Sequence, residues 1–198
     1  MRHVVILAHP NPASFNGAVV RAYAGTVEAL GHTVEIRDLY QMDFDPRLKA
    51  GELPDREGAA PEPDVVLERA QLEGADTFAF IYPLWFNGPP AILKGYVDRV
   101  FGRGFGYEFD FGGTRPLLTG RNLISITTSG APDEWVRQTG AFDALLTLFD
   151  RHLCAVTGLT FLDHAHVGGV TPGLRPDAAD AMLQSVGNEL RGVFAKSP

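Results

Sequence analysis

The sequence predicts an α/β fold built on a parallel sheet with helices on both faces. Two patterns carry this prediction: short apolar runs typical of buried strands, and intervening segments with apolar residues at helical spacing. The first pair shows both, because residues 4–8 (VVILA) form a continuous apolar run and residues 18–30 follow with apolar side chains three and four positions apart. Strands that alternate with helices are joined by right-handed crossovers, which makes the sheet parallel.

The remaining elements follow in order along the chain. Gly31 closes the first helix from the C′ position, and residues 33–38 alternate as a second strand. Pro63 and Gly74 mark the start and end of a helix at residues 64–72. The later elements are strands at residues 77–82, 122–128 and 159–167, and helices from Pro89-Pro90 to residue 100, at 142–156 and at 176–194. We interpret the Pro-, Glu-, Asp- and Gly-rich segment 51–63 as a surface loop, and residues 1–198 as a single domain.

Five strands in 198 residues fit the open, three-layer flavodoxin-like sheet of order 2-1-3-4-5. In a sheet of this kind the ligand binds at the carboxyl ends of the strands, where the winding direction reverses. The loops that follow strands one, three and four are therefore expected to meet. We call them loop one (residues 9–16), loop two (residues 83–90) and loop three (residues 127–133).

Composition excludes several classes of function. The 17 basic and 24 acidic residues give a net charge of −7 without a Lys/Arg cluster, so a nucleic-acid partner is not expected. The apolar run at residues 4–8 is too short for a secretory signal, and no run approaches the length of a membrane span. Cys154 is the single cysteine and cannot form an internal disulfide, so we expect a cytoplasmic protein in which Cys154 is a buried packing residue.

Loop one leads from the first strand into the first helix, where unpaired N–H groups and the helix dipole favour a phosphate. Ser14 and Asn16 add polar groups there, although Ser14 could simply cap the helix and Asn16 could simply turn the chain. His9 could reach a phosphate or a ring edge, or could be a structural histidine. Neither GxGxxG nor GxxxxGK[ST] is present, so the loop matches neither common nucleotide-binding signature.

Loops two and three suit a flat ligand. Trp85 and Phe86 are adjacent between prolines, so at least one of them is expected to form a wall for such a ligand. The alternative is that both pack under a neighbouring loop. The small residues of loop three allow backbone N–H groups to approach a heterocycle closely.

Several motifs occur together, in register, from residue 3 to about residue 130. They are His9 with Ser14-Phe15-Asn16, Asp38-Leu39-Tyr40 with Phe44-Asp45-Pro46, Pro83-Leu84-Trp85-Phe86, residues 90–95 (PAILKG) and residues 125–128 (SITT). In combination they resemble the NAD(P)H:quinone oxidoreductase family, the DT-diaphorase-like flavoproteins. The resemblance implies a homodimer that binds FAD, or alternatively FMN.

The resemblance also implies positions for the flavin. It assigns the flavin phosphates to His9, Ser14, Phe15 and Asn16. It places the isoalloxazine ring between two groups of residues, Pro83, Leu84, Trp85, Phe86 and Asn87 on one side and Thr127, Thr128, Ser129 and Gly130 on the other.

The implied activity is hydride transfer from NAD(P)H to flavin N5 and then to a quinone or a similar flat acceptor. The two substrates would use one pocket in turn, shaped by Trp85 and Phe86, which predicts ping-pong kinetics. The alternative from another class is a non-enzymatic flavoprotein, either an electron carrier or a flavin-binding regulatory subunit of a membrane transporter.

One departure from the family concerns the residues that stabilise the reduced flavin. Members related to the mammalian enzyme place a tyrosine and a histidine in the loop after Thr127-Thr128, and an ungapped alignment puts Trp135 and Ala141 there. Neither can donate a proton. The backbone N–H groups of Ser129 and Gly130, or the Arg137 side chain, are the candidates to replace them.

Two further patterns involve aromatic and histidine side chains. Phe105, Tyr107, Phe109 and Phe111 alternate with polar residues and are expected to form a core stripe, or alternatively to line a substrate pocket or a dimer seam, as the corresponding segment does in the family. His164 and His166 share one strand face, but no third ligand lies nearby in sequence, so we predict no metal site.

Overall fold

The computed structural model describes residues 1–53 and 58–195 of the chain. Its centre is a five-stranded parallel sheet of order β2-β1-β3-β6-β7, which confirms the predicted flavodoxin-like order 2-1-3-4-5. The strands of this sheet are β1 (Arg2–Leu7), β2 (Thr33–Asp38), β3 (Thr77–Pro83), β6 (Asn122–Thr128) and β7 (Thr160–Val167). Two further strands, β4 (Tyr107–Asp110) and β5 (Gly113–Pro116), pair antiparallel with each other in a separate hairpin.

Helices cover both faces of the sheet. They are α1 (Phe15–Glu28), α2 (Pro63–Leu72), α3 (Ala91–Val100), α4 (Asp133–Gln138), α5 (Ala141–Leu145), α6 (His152–Thr157) and α7 (Pro176–Phe194). Helices α1 and α7 pack against Val5 and Leu7 on one face, and α2, α3, α5 and α6 pack against Val4 and Ile6 on the other. Residues 4–7 of β1 and Ala8 after it are therefore all buried, which explains the uninterrupted apolar run at residues 4–8.

The predicted helix boundaries are confirmed where glycine or proline marks them. Gly31 has φ 82°, its N–H donates to the Glu28 carbonyl, and the His32 N–H donates to the Val27 carbonyl. These two bonds form a Schellman motif with glycine in the left-handed conformation. Pro63 is the first residue of α2, and Gly74, two residues after the helix, has φ 74°.

The segment at residues 51–63 is only partly described, because residues 54–57 lie outside the described residues. A short 3-10 turn occupies Ala50–Glu52, and the described residues around it are exposed or half-buried. No helix among the described residues is long and apolar enough to cross a membrane.

The predicted helix at residues 142–156 is present, but it is not α-helical throughout. The chain forms α5, then a π-helix at Leu146–Arg151, and then α6. A π-helix holds an extra residue per turn, which changes the direction of the side chains that follow it. Here Asp150 is fully buried against β6 and β7, whereas Leu148 faces solvent.

The predicted aromatic core stripe is wrong. Phe105 is partly buried and packs edge-on against Phe101, but Phe109 is half exposed and Phe111 fully exposed. The reason is that β4 pairs with β5 outside the main sheet, so its side chains do not enter the space between sheet and helices.

Cys154 is buried in the core, as predicted. Burial, and then the charge of Asp150, raises the pKa of its thiol to about 12. The thiolate that cysteine chemistry requires is therefore disfavoured, and Cys154 acts as a packing residue.

Candidate functional site

Three loops meet at Thr128, the last residue of β6. The Asn16 side-chain amide donates to the Thr128 hydroxyl at 2.9 Å, which joins loops one and three. The Leu84 N–H donates to the Thr128 carbonyl at 2.7 Å, which joins loops two and three. The segments after the first, third and fourth main strands therefore form one surface at the carboxyl edge of the sheet.

The start of α1 offers N–H groups to a ligand. Ser14 is the N-cap, and its hydroxyl oxygen accepts from the Gly17 N–H at 3.2 Å. The N–H groups of Phe15 and Asn16 lie in the first turn and have no acceptor within the helix. The Ser14 O–H proton is not used by the cap, so the capping role and a ligand-binding role are compatible.

Loop one packs tightly on this helix end because residue 17 is glycine. A Cβ atom at this position would lie 2.3 Å from the Pro12 carbonyl oxygen. No side chain can occupy that space unless the loop shifts, so Gly17 brings loop one against the first turn of α1.

Asn16 is buried and only half satisfied. Its Nδ2 donates to Thr128, whereas its Oδ1 has no hydrogen-bond partner among the described residues. A buried polar atom left in this way costs about 1–3 kcal/mol. A hydroxyl or N–H group of a bound ligand would remove this cost.

His9 lies beside the aromatic loop, with its ring 6.2 Å from the Trp85 ring. Burial lowers the pKa of His9, which keeps the ring neutral at pH 7. The Asn11 N–H lies 3.0 Å from Nδ1 and the Asn11 carbonyl oxygen 3.1 Å from the same nitrogen, so Asn11 can engage Nδ1 in either tautomer. His9 can thus present Nε2 to a ligand.

Loop two presents two aromatic rings at the surface. Trp85 and Gly88 exchange backbone hydrogen bonds at 3.1 and 3.2 Å, and the two residues between them, Phe86 and Asn87, have φ values of 52° and 55°. This left-handed pair forms a tight turn, a conformation uncommon for phenylalanine. Phe86 is fully exposed and Trp85 is 45% exposed. The alternative that both rings pack under a neighbouring loop is therefore wrong.

Loop three is fixed by backbone bonds. Thr127, Thr128 and Ser129 are buried, and Gly130 is exposed. The Ser129 N–H donates to the Val167 carbonyl at 3.0 Å, so it is not available to a ligand. Of the three candidates named above for the reduced flavin, the Gly130 N–H and Arg137 remain.

Arg137 lies on α4 in a defined position. Its Nε donates to Asp133 at 2.8 Å, and its guanidinium lies 4.5 Å from the Phe142 ring centre. Trp135 on the same helix is half exposed, and Ala141 is the first residue of α5. Arg137 is half exposed and is the cationic group of α4 that could face a ligand.

A buried polar cluster beneath loop three was not predicted from the sequence. His164 and His166 hydrogen-bond to the two sides of the Thr127 hydroxyl, and Asp150 holds the far nitrogen of His164. The signal was the alternation of His164 and His166 on one face, opposite Ser125 and Thr127 of the neighbouring strand. Among the described residues, no group of three His, Cys, Asp or Glu side chains could hold a metal ion.

A cavity of about 570 Å³ lies elsewhere, beside α2 and the end of α3. Arg99 in its wall pairs with Glu52 and Asp64, and Arg69 donates to carbonyl groups at the end of α3. These cations are used within the fold, so we place the candidate site at the three loops.

A parallel sheet of this order, with a helix N-terminus and aromatic loops at its carboxyl edge, defines a ligand-binding protein of the flavodoxin-like class. Comparison with known proteins agrees, since the sequence profile of the flavodoxin-like fold matches residues 1–190.

Two relatives refine the class. The chain is 35% identical over 161 residues to a protein of Haemophilus influenzae named as an uncharacterized NAD(P)H oxidoreductase, covering 80% of this chain and 76% of the relative. It is 31% identical over 222 residues to NAD(P)H dehydrogenase [quinone] 1 of Rattus norvegicus, covering 100% of this chain and 79% of the relative. A solved NAD(P)H:quinone oxidoreductase from Methanothermobacter marburgensis superposes with a TM-score of 0.86 at 28% identity, over 96% of this chain and 98% of that one. The chain belongs to the flavodoxin-like family of NAD(P)H:quinone oxidoreductases, which confirms the resemblance seen in the motifs.

Proposed function

We propose that this chain is a flavin-dependent NAD(P)H oxidoreductase that reduces quinones or similar flat acceptors by two electrons. The observation that carries the proposal is the junction at Thr128, where a helix N-terminus, an aromatic turn and a small-residue loop come together. Family membership supplies the reaction class.

The residues present fit a flavin. The unpaired Asn16 Oδ1 needs a donor, which a ribityl hydroxyl can supply. The N–H groups of Phe15 and Asn16, the Ser14 hydroxyl and the His9 ring in its Nε2–H tautomer together suit a phosphate. Because the net charge is −7, attraction of an anionic cofactor must come from these local donors rather than from the overall field.

The flat ring would lie between the groups at residues 83–87 and 127–130. When bound, the flavin supplies hydride acceptance and donation at N5. The protein would position the ring: Trp85 and Phe86 would shape the pocket and exclude water, while the Gly130 N–H and Arg137 would stabilise the edge that gains negative charge. Both substrates would use the same space above the ring, so we propose a ping-pong mechanism.

We further propose that FAD is the cofactor, with FMN as the alternative, and that the chain acts in the cytoplasm as a homodimer of single-domain subunits. The exposed Phe109 and Phe111 rings of the hairpin are apolar surface of the kind that a second subunit covers.

Two measurements test the function. The cofactor is released by denaturation and identified by chromatography and absorbance. Turnover of NADPH with a simple benzoquinone is then followed over a grid of both substrates, and parallel double-reciprocal lines are expected. Intersecting lines would contradict the ping-pong mechanism. A flavin-loaded protein without turnover would instead identify a non-enzymatic flavoprotein, and a protein that binds neither FMN nor FAD would exclude both.

A further inference from the structure

A continuous chain of hydrogen bonds runs under the last two strands of the main sheet and ends in loop three. It begins at Asp150 in the π-helix and passes through four further side chains. The distances are 2.8 Å from Asp150 Oδ2 to His164 Nδ1, 2.8 Å from His164 Nε2 to Thr127 Oγ1, 2.8 Å from Thr127 Oγ1 to His166 Nδ1, 3.0 Å from His166 Nε2 to Ser129 Oγ, and 2.8 Å from Ser129 Oγ to the Ala131 carbonyl.

The hydrogen-bond chain needs one proton more than its neutral side chains supply. Its two ends, the Asp150 carboxylate and the Ala131 carbonyl, can only accept, so five consecutive bonds require five protons. Two neutral imidazoles and two hydroxyl groups supply four. The fifth proton must come from a protonated carboxyl group or from one imidazolium.

The buried end of the chain is the place for this proton. Asp150 is fully buried and also accepts the Ser125 hydroxyl at 2.5 Å. A buried carboxylate without a neighbouring positive charge would cost free energy. One proton shared between Asp150 and His164 makes this group of side chains neutral overall. The other four bonds then point the same way, from His164 towards Ala131.

The other imidazole stays neutral. Burial lowers the pKa of His166 to about 4, and the charges of His164 and Arg137 act in the same direction, against the opposing effect of Asp133. Glu189 of α7 lines the cavity next to His166, and burial raises the pKa of its carboxyl group. The groups around His166 therefore disfavour a second imidazolium in this chain.

We propose that the hydrogen-bonded side chains from Asp150 to Ser129 form a proton relay. The relay stores one proton at Asp150 and His164 and can deliver it at Ser129 in loop three. The ligand end of the relay rests on the proposed function, since a flavin ring gains negative charge when it accepts a hydride. The stored proton itself does not depend on a ligand.

Delivery conserves protons at every link. Ser129 would turn its hydroxyl from the Ala131 carbonyl to the anionic acceptor, give up that proton and take the Nε2 proton of His166. His166 takes the Thr127 proton on Nδ1, and Thr127 takes the Nε2 proton of His164. His164 then takes the proton of Asp150 on Nδ1, or keeps the one it holds there. One proton has left at Ser129, and one negative charge remains on Asp150. This relay supplies a proton to the loop in which Trp135 and Ala141 cannot do so.

The Asp150→Asn variant removes the stored proton but keeps the hydrogen bonds. The Asn amide can donate to His164 Nδ1, and its carbonyl can accept from Ser125, so all five bonds and their direction are retained. The amide has no proton to release. His152→Asn is the matched control, because His152 is exposed and lies two residues away in the same helical segment.

The first test needs no flavin. Nitrogen-15 spectra of the imidazoles at pH 7 should show His166 protonated on Nε2 and bare on Nδ1, and His164 protonated on Nε2, in the wild type and in both variants. Raising the pH removes the fifth proton in the wild type and the control, which moves the His166 proton to Nδ1. The Asp150→Asn protein should lack this transition. A wild type with His166 protonated on Nδ1 at pH 7, or a variant that keeps the transition, would overturn the proposal.

The second test uses protein loaded with FMN or FAD and reduced by dithionite. The absorbance of the reduced flavin is followed against pH. We expect the midpoint of its deprotonation to fall by a pH unit or more in Asp150→Asn and to be unchanged in His152→Asn. Equal midpoints in all three proteins would show that the relay does not reach the ligand. Failure to bind either flavin would contradict the proposed function, and the imidazole spectra would still decide whether the proton is stored.

Discussion

The Asn16 amide donates to the Thr128 hydroxyl at 2.9 Å, a contact between residues 112 positions apart in sequence. It joins the start of α1 to the end of β6 and leaves Asn16 Oδ1 without a partner among the described residues. Asn16 is therefore both a structural link between two loops and an open acceptor at the candidate site.

Asn16→Ala removes both functions. We expect flavin affinity to fall about tenfold or more and the free energy of unfolding to fall by about 1 kcal/mol, because one buried bond is lost and Thr128 loses its donor. Flavin fluorescence quenching and urea denaturation measure the two effects. Asn188→Ala, at an exposed position of α7, is the control for both. Unchanged flavin affinity in Asn16→Ala would remove Asn16 from the binding site.

Substitutions of Ser14 separate helix capping from phosphate binding. Aspartate is as good an N-cap as serine, and its charge suits the helix dipole, so Ser14→Asp should keep the stability of the protein. The same charge would repel a phosphate, and we expect flavin affinity to fall at least tenfold. Ser14→Ala, in contrast, should cost about 1 kcal/mol of stability through loss of the cap. Tight flavin binding by Ser14→Asp would place the phosphate elsewhere.

Gly17 and Gly25 form a matched pair within α1. A Cβ atom at residue 17 would lie 2.3 Å from the Pro12 carbonyl oxygen, whereas a Cβ atom at residue 25 meets nothing within 4 Å. Gly25→Ala should stabilise the protein by up to about 1 kcal/mol through helix propensity. Gly17→Ala should destabilise it and weaken flavin binding, because loop one must move. Thermal unfolding and flavin titration compare the two, and equal stability changes would contradict the tight loop packing.

Arg137 is tested as the group that faces the negative edge of the flavin. Its ion pair with Asp133 is half exposed, so its loss in Arg137→Ala should cost at most about 1 kcal/mol of stability. We expect the rate of flavin reduction by NAD(P)H to fall at least tenfold, measured by stopped-flow absorbance. The control is Arg175→Ala, which removes an exposed cation distant in sequence. In this variant NAD(P)H should reduce the flavin at the wild-type rate. A wild-type rate in Arg137→Ala would exclude Arg137 and leave the Gly130 N–H.

His3 should make the stability depend on pH. It is fully buried at the start of β1, with Nδ1 2.7 Å from the Tyr23 hydroxyl and Nε2 2.9 Å from His32 Nδ1. Burial, and then the charge of His32, lowers the pKa of His3 to about 4. The unfolded chain binds this proton near pH 6.5, so the stability that neutral His3 contributes is complete above pH 6.5 and is lost as the pH falls towards 4. The loss is on the order of 2–3 kcal/mol.

Urea denaturation at pH 7.5, 5.5 and 4.5 measures this dependence. His3→Gln removes the titrating group and should lose less stability between pH 7.5 and 4.5 than the wild type. His152→Asn, at an exposed histidine, should follow the wild type. An equal pH dependence in all three proteins would assign the effect to other groups.

The sequence by itself determined the order of strands and helices and the edge of the sheet at which loops one, two and three meet. Residues 4–8 are apolar without interruption because both faces of β1 are covered, and Gly31, Pro63 and Gly74 mark helix ends through their own backbone preferences. These signals are local, since each depends on a residue and its close neighbours in the chain. The motif resemblance added the family.

Only the tertiary structure decided which polar groups are free and which are used. The Ser129 N–H is taken by Val167, and Phe111 is exposed because its hairpin lies outside the main sheet. The π-helix brings Asp150 to His164, fourteen positions further along the chain. Such contacts depend on the register between neighbouring strands and on the geometry of a helical turn, which are set when distant segments pack together and which no local pattern of residues records.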